Sequence, residues 1–249
     1  MHNLDPIWLI FAGFGGGLAG SIAGLASLVS YPALLAVGLP PVTANVTNTV
    51  ALVFSSAGSI WGSTPELRDR RGHIKWLVPT AIAGGIIGSV LLLALPSKSF
   101  TLVVPVLIGL ASLGVLVRRN PASTTVTSPH APGRVLTVWI FAIGIYGGYF
   151  GAAAGVLMLA VLMFCTAESM ARSNAMKNLL IGGANGIAAI AFILFSTVRW
   201  SDAIPLAVGF LVGGRLGPVV VRHAPTRPLR YVIACAGLGI AVHLGLDAY

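Results

Sequence analysis

Apolar residues fill long stretches of this chain, and charge is confined to the gaps between them. No Asp, Glu, Lys or Arg occurs between Asp5 and Glu66. Further uncharged runs separate Lys75 from Lys98, Lys98 from Arg118, Arg134 from Glu168, Lys177 from Arg199, and Arg230 from Asp247. A helix needs about 20 predominantly apolar residues to cross a bilayer core. The pattern predicts single crossings near 41–63, 76–95, 99–118, 170–195, 202–221 and 228–247. Two stretches, 7–39 and 135–166, are longer, each near 33 residues. That is too long for one straight helix and short for two full crossings, which need about 40 residues. Each carries a glycine-rich interruption, followed in the first by Tyr31-Pro32. Each is expected to form a helical hairpin with one short arm.

The two interruptions are related. Gly16-Gly17-x-x-Gly20-x-x-x-Gly24 returns as Gly147-Gly148-x-x-Gly151-x-x-x-Gly155, 131 residues later. Asn48 has a counterpart in Asn178, and Gly84-Gly85-x-x-Gly88 in Gly213-Gly214-x-x-Gly217, at offsets of 130 and 129. Three blocks in one order at nearly constant spacing indicate two copies of one unit. The expected units are 1–119 and 134–249, joined by a Pro-, Ser- and Thr-rich loop at 120–133.

Composition and charge set the class. Hydrophobic residues make up 56% of the 249 and charged residues 8%, too few charges to cover a soluble surface. A net charge of +9 would suggest nucleic acid in a soluble protein. Here the basic residues fall in short loops between spans, where they set topology. Arg68, Arg70, Arg71 and Lys75 share one loop; Arg118, Arg119 and Arg134 flank the central one; Arg222, Arg227 and Arg230 occupy the last. With these three loops in the cytoplasm and each long stretch a hairpin, every crossing alternates correctly. The first unit then begins outside and the second inside, and both termini lie outside. The expected fold is an all-α polytopic membrane protein of two inverted repeats, each a Gly-rich broken-helix hairpin plus three transmembrane helices. Such repeats go with transport. Asp5 and the lack of an N-terminal basic region argue against a cleaved signal peptide. Cys165 and Cys235 lack CxxC spacing and read as small buried apolar residues. Hydrolase, nucleotide-binding and metal-cluster motifs do not occur in the sequence. Neither an enzyme nor a resident metal or cofactor is expected.

Polar residues inside a span are costly unless paired or facing a wet cavity. Asn45, Asn48 and Ser55 follow one face of the 41–63 helix; Asn174, Asn178, Ile181 and Asn185 follow one face of the 170–195 helix. Either stripe alone reads as interhelical hydrogen bonding, whereas matching stripes beside both glycine bends point to a shared cavity. Lys177 lies about two turns inside its helix and either snorkels to the surface or brings positive charge to that cavity. Gly20, Gly24, Gly151 and Gly155 allow broken helices whose N–H groups favour an anion. Arg172 reads as a gate or topology charge and Arg215 as a secondary one. The six acidic residues, Asp5, Glu66, Asp69, Glu168, Asp202 and Asp247, fall in or near loops or termini, and His243 near an outer end. This distribution favours an anion over a metal cation.

Gly13-Phe14-Gly15-Gly16-Gly17-Leu18-Ala19-Gly20, Val29-Ser30-Tyr31-Pro32-Ala33-Leu34-Leu35 and Gly38-Leu39-Pro40-Pro41 resemble the opening of the sulfite exporter TauE/SafE family. Tyr146-Gly147-Gly148-Tyr149-Phe150-Gly151-Ala152-Ala153-Ala154-Gly155, followed by Arg172-Ser173-Asn174-Ala175-Met176-Lys177-Asn178, resembles its second half. The resemblance runs from about Trp8 to Gly245. It implies a multi-pass inner-membrane carrier of sulfite and organosulfonates such as sulfoacetate, with that anion and the lipid bilayer as partners and no nucleic acid. Whether copies associate as a homo-oligomer stays open. Ala26-Ser27-Leu28 departs from a more glycine-rich family pattern, which bears on substrate size. Other readings are a carrier of another anion or a metal ion, or a non-transporting membrane subunit that docks a partner through Arg68–Lys75.

Overall fold

In a computed structural model of the protein, residues 5–68, 71–96, 133–166 and 168–223 are described, with Lys98, Phe100, Val106 and Val242. The bulk of the spans expected at 99–118 and 228–247 and of the 120–133 linker falls outside these residues, with Arg70, Arg118, Arg119, Arg227, Arg230, Cys235 and His243. Every regular element among the described residues is a helix. They are α1 (Asp5–Ala23), α2 (Ala26–Ala36), α3 (Pro41–Gly62), α4 (Thr64–Leu67), α5 (Arg71–Ala94), α6 (Gly133–Tyr149), α7 (Ala154–Cys165), α8 (Met170–Phe195) and α9 (Trp200–His223).

Four segments are long and apolar enough to cross a bilayer: Pro6–Ala23 of α1, Lys75–Ala94 of α5, Met170–Phe195 (α8) and Trp200–Val221 of α9. The 22 residues of α3 give it the length. It is more polar because Asn45, Thr47, Asn48, Thr49, Ser55 and Ser59 all turn inward and are buried. Polarity is distributed inside out relative to a water-soluble bundle. Ile190, Ile193 and Phe195 of α8 and Ile204, Val208 and Val212 of α9 are exposed, while Lys177 is 1% exposed. Only a hydrocarbon solvent makes that arrangement favourable. All five tryptophans, Trp8, Trp61, Trp76, Trp139 and Trp200, are at least half exposed. Each lies within two turns of a helix end, the placement of residues at the headgroup level.

Each long stretch is a hairpin of one long and one half-length helix. The first pairs the 19 residues of α1 with the 11 of α2; the second pairs the 17 of α6 with the 12 of α7. The first break falls at the last glycine of the block, Gly24, and not at Tyr31-Pro32. α1 runs unbroken through Gly13–Gly20, and Pro32 lies inside α2, as membrane helices allow when neighbours compensate a lost donor. The glycines ahead of Gly24 serve close packing: Gly13 and Gly17 of α1 lie against the backbone of Leu206, Phe210 and Gly214 in α9. The chain turns at Gly24 (φ +79°) and, in the second hairpin, at Gly151 (φ +72°) and Ala153 (φ 56°).

Packing is reciprocal between the halves. α1 lies along α9, α6 lies along α5, and α3 and α8 pack on each other between them. Gly84 and Gly88 of α5 meet the backbone of Phe141, Gly144, Ile145 and Tyr149 of α6, as Gly213 of α9 meets that of Phe14 and Leu18 of α1. The two bends also touch. A Cβ on Gly24 would strike the backbone of Gly155 and Val156, and one on Gly155 would come within 2.5 Å of Gly24 Cα.

Gly24→Ala therefore meets both an unfavourable φ and a backbone clash. Gly38 shares the left-handed conformation (φ +88°), but a Cβ there would have nothing within 4 Å, so Gly38→Ala isolates the first effect, about 1–2 kcal/mol. Thermal unfolding of purified protein should show Gly24→Ala lowering stability at least twice as much as Gly38→Ala. Equal losses would show that the bends do not touch.

Candidate functional site

The site is built where the helices are broken. A helix end buried away from water leaves C-terminal carbonyls and N-terminal N–H groups that the protein itself must bond. At the end of α1, Gly24 N–H donates to Gly20 O at 2.8 Å and Leu25 N–H to Ala19 O at 3.3 Å, a left-handed cap of the αL type. Ser21 O is satisfied from the other half of the chain: Asn174 Nδ2 donates to it at 2.9 Å and Lys177 Nζ at 3.1 Å. Lys177 Nζ also donates to Gly20 O at 2.8 Å. A cation thus sits at the negative end of the α1 dipole. At the end of α6 the roles of the halves exchange. Asn45 Nδ2 of α3 donates to Tyr149 O at 3.0 Å, and the Tyr146 hydroxyl closes the bend onto Ala152 O at 2.6 Å.

The starts of the two half-length helices are different. Neither α2 nor α7 has a side-chain cap: Leu25 and Ala153 stand at the N-cap positions. Ala26 and Ser27 in the first turn of α2, and Gly155 in that of α7, line one cavity of about 40 Å³. Its remaining wall comes from Gly20, Gly24, Gly151 and Phe150 of the bends, the α3 face Thr49, Leu52, Ser55, Ser56 and Ser59, and the α8 face Lys177, Asn178, Ile181 and Asn185. Asn178 is 6% exposed and its Nδ2 has no hydrogen-bond partner. Uncapped helix N-termini, an ammonium and an unpaired amide donor all suit an anion.

Nine of the residues singled out in the sequence meet at this cavity: Lys177, Asn178, Asn185, Gly20, Gly24, Gly151 and Gly155, with Ser55 and Ile181 of the two stripes. Three amides stand in the hydrogen-bonded layer around it. Asn45 and Asn174 cap the breaks, and Asn48 accepts from Ser30 Oγ at 2.6 Å and donates to Ser27 Oγ at 3.3 Å. Arg172 lies apart, in the first turn of α8, paired with Glu168 at 3.5 Å. It lines a second cavity of about 70 Å³ with Glu66, Leu77, Leu162 and Ser173. Arg215 lines neither cavity, its guanidinium 3.7 Å from the centroid of the Trp61 ring in a cation–π contact. Sequence reasoning missed Ser27, Thr49, Ser56 and Ser59. The signal for the last three was the small hydroxyl residues at 49, 56 and 59, which share a face of α3 with Leu52 and Ser55.

These features define a multi-pass helical membrane protein with a small cavity, bordered by Lys177, between two helix breaks. The chain belongs to the sulfite exporter TauE/SafE family, which matches residues 9–244. It is 24% identical over 245 residues to the probable membrane transporter protein ORF9 of Sinorhizobium sp, covering 96% of this chain and 92% of that one. It is 23% identical over 244 residues to the probable membrane transporter protein YfcA of Escherichia coli strain K12, covering 97% and 90%. A probable membrane transporter protein of Haemophilus influenzae is 23% identical over 225 residues, covering 88% and 86%. No solved structure matches the chain at a significant level.

The cap at α1 gives a graded expectation. Asn174→Leu removes one neutral donor from Ser21 O and should cost roughly 0.6–1.5 kcal/mol. Lys177→Met removes a charged donor to two carbonyls and should cost about 1.5–3 kcal/mol. Unfolding midpoints of the two purified variants check the order; a Lys177→Met protein as stable as wild type would refute the capping role.

Proposed function

We propose that this chain is a secondary transporter that moves a small sulfur-containing oxyanion across the cytoplasmic membrane by alternating access. The observation that carries the reading is the cavity between the breaks, where Ala26, Ser27 and Gly155 begin uncapped helices and Lys177 and Asn178 form the facing wall. Lys177 supplies positive charge, Asn178 and the serine hydroxyls supply donors, and the first turns of α2 and α7 supply N–H groups. Asn45, Asn48 and Asn174 hold the breaks and the serines in place around the anion. Arg172 with Glu168 forms a charged gate at the cytoplasmic end of α8.

Size narrows the substrate. A water takes up roughly 10–15 Å³ of such a cavity, so about 40 Å³ suits a single compact oxyanion such as sulfite. A longer organosulfonate such as sulfoacetate requires the helices to separate. The reciprocal packing of α1 on α9 and α6 on α5 supports two repeats related by inversion, with α3 and α8 meeting at the axis. Rocking one half against the other about the Gly24–Gly155 contact would open the cavity to each side in turn.

Flux of radiolabelled sulfite in proteoliposomes tests the reading. Saturable uptake should fall at least tenfold in Lys177→Gln and in Asn178→Leu, with Arg215→Gln close to wild type. Uptake of metal cations with no sulfite flux would replace it with a cation carrier. For the topology, single cysteines in the 64–75 and 120–133 loops should label from the same side of the membrane. Labelling from opposite sides would remove the inversion.

A further inference from the structure

The two helix breaks present the same electrostatic problem and solve it unequally. At the end of α1 a fixed cation, the Lys177 ammonium, lies 2.8 Å and 3.1 Å from two terminal carbonyl oxygens. By the offset that relates Asn48 to Asn178, the residue matching Lys177 in the first half is Thr47. Thr47 is fully buried, carries no charge, and its hydroxyl accepts from the Arg199 backbone N–H at 3.2 Å. Among the described residues, the side chain at the last carbonyl of α6 is the neutral Asn45 amide, which donates to Tyr149 O at 3.0 Å.

Two buried oxygens at this second break have no partner. Asn45 Oδ1 is one; the residue is 1% exposed. The other is the Tyr31 hydroxyl, also on a residue 1% exposed. Tyr31 packs edge-on against Phe150, the neighbour of Tyr149, with ring centroids 5.3 Å apart. The first oxygen shares the amide that caps Tyr149 O, and the ring that carries the second packs on Phe150. An unsatisfied polar atom of this kind costs on the order of 1–3 kcal/mol. Tyr149 O keeps a second lone pair beyond the one that takes the Asn45 amide.

We propose that the end of α6 is a site for a monovalent cation of sodium size, held by Tyr149 O, Asn45 Oδ1 and the Tyr31 hydroxyl. All three ligands are neutral oxygens, the donor set for a hard, singly charged ion, and terminal carbonyls of broken helices serve this purpose in carriers. The ion stands to α6 as the Lys177 ammonium stands to α1. It would tie the second break to α2 and α3 only while bound, so its release loosens one hairpin and not the other. The site uses none of the residues that line the anion cavity except through the shared bend, and it stands whether or not the cavity takes sulfite.

Thermal unfolding of the purified full chain, with NaCl exchanged for N-methyl-D-glucamine chloride at constant chloride, tests the site. The wild-type midpoint should rise saturably with sodium. Tyr31→Phe should weaken the apparent sodium affinity several-fold. Asn45→Asp places a carboxylate at the site, and should be less stable than wild type without sodium and bind it at least fivefold more tightly. A midpoint independent of sodium, or the same sodium response in all three proteins, overturns the proposal. A parallel titration with sulfite at fixed sodium reads the anion cavity separately. A sulfite shift that persists without any sodium response removes the cation site alone.

Discussion

The site depends on one constraint: a helix end buried away from water must have its freed backbone groups bonded by something else. The carbonyls at the end of α1 are met by Lys177 and Asn174 from α8, and the last carbonyl of α6 by Asn45 from α3. Each half of the chain thereby finishes the broken helix of the other half. At the starts of α2 and α7 no side chain caps the helix; Ala154 and Val156 N–H donate to Gly151 O and Ala153 O, and Ala26, Ser27 and Gly155 border the cavity. Structure and proposed activity are two sides of the same accounting of hydrogen bonds.

Close backbone approach makes this geometry reachable. Lipid gives helices little hydrophobic reason to associate, so van der Waals contact and interhelical hydrogen bonds must do so. Glycine faces let α1 and α9, and α6 and α5, touch along their backbones. They also bring Gly24 against Gly155, so that the two bends form one centre rather than two separate kinks. Ser21 and Ser59 both donate to Gly214 O, at 3.0 Å and 3.3 Å, fastening α1, α3 and α9 at one point beside that centre.

The long elements were legible because hydrophobic runs and loop charges report membrane spans directly. The expected 170–195 crossing became α8 (Met170–Phe195) and the 41–63 crossing α3 (Pro41–Gly62). The doubled Gly20/Gly24 and Gly151/Gly155 spacing marked the two bends that frame the cavity. The use made of the glycines ahead of Gly24 was not legible. A Gly-Gly pair supplies close packing and conformational freedom with the same letters, and only the partner helix, here α9, decides which is used. The amides divided for a similar reason. Asn174 and Asn178 lie one turn apart on α8, yet the first meets Ser21 O and the second the cavity. A one-turn difference in what faces a side chain depends on tertiary placement of the bend, which periodicity does not contain.

The account rests on the cavity beside the Gly24–Gly155 contact being the place where an anion is held. The most direct measurement is a pair of density maps of the purified protein, one determined in sulfite-free buffer and one with saturating sulfite. The account predicts added density bounded by Ser27, Gly155, Lys177 and Asn178, with the α1 cap still in place. Added density elsewhere in the protein, with this cavity unchanged between the two maps, would contradict it.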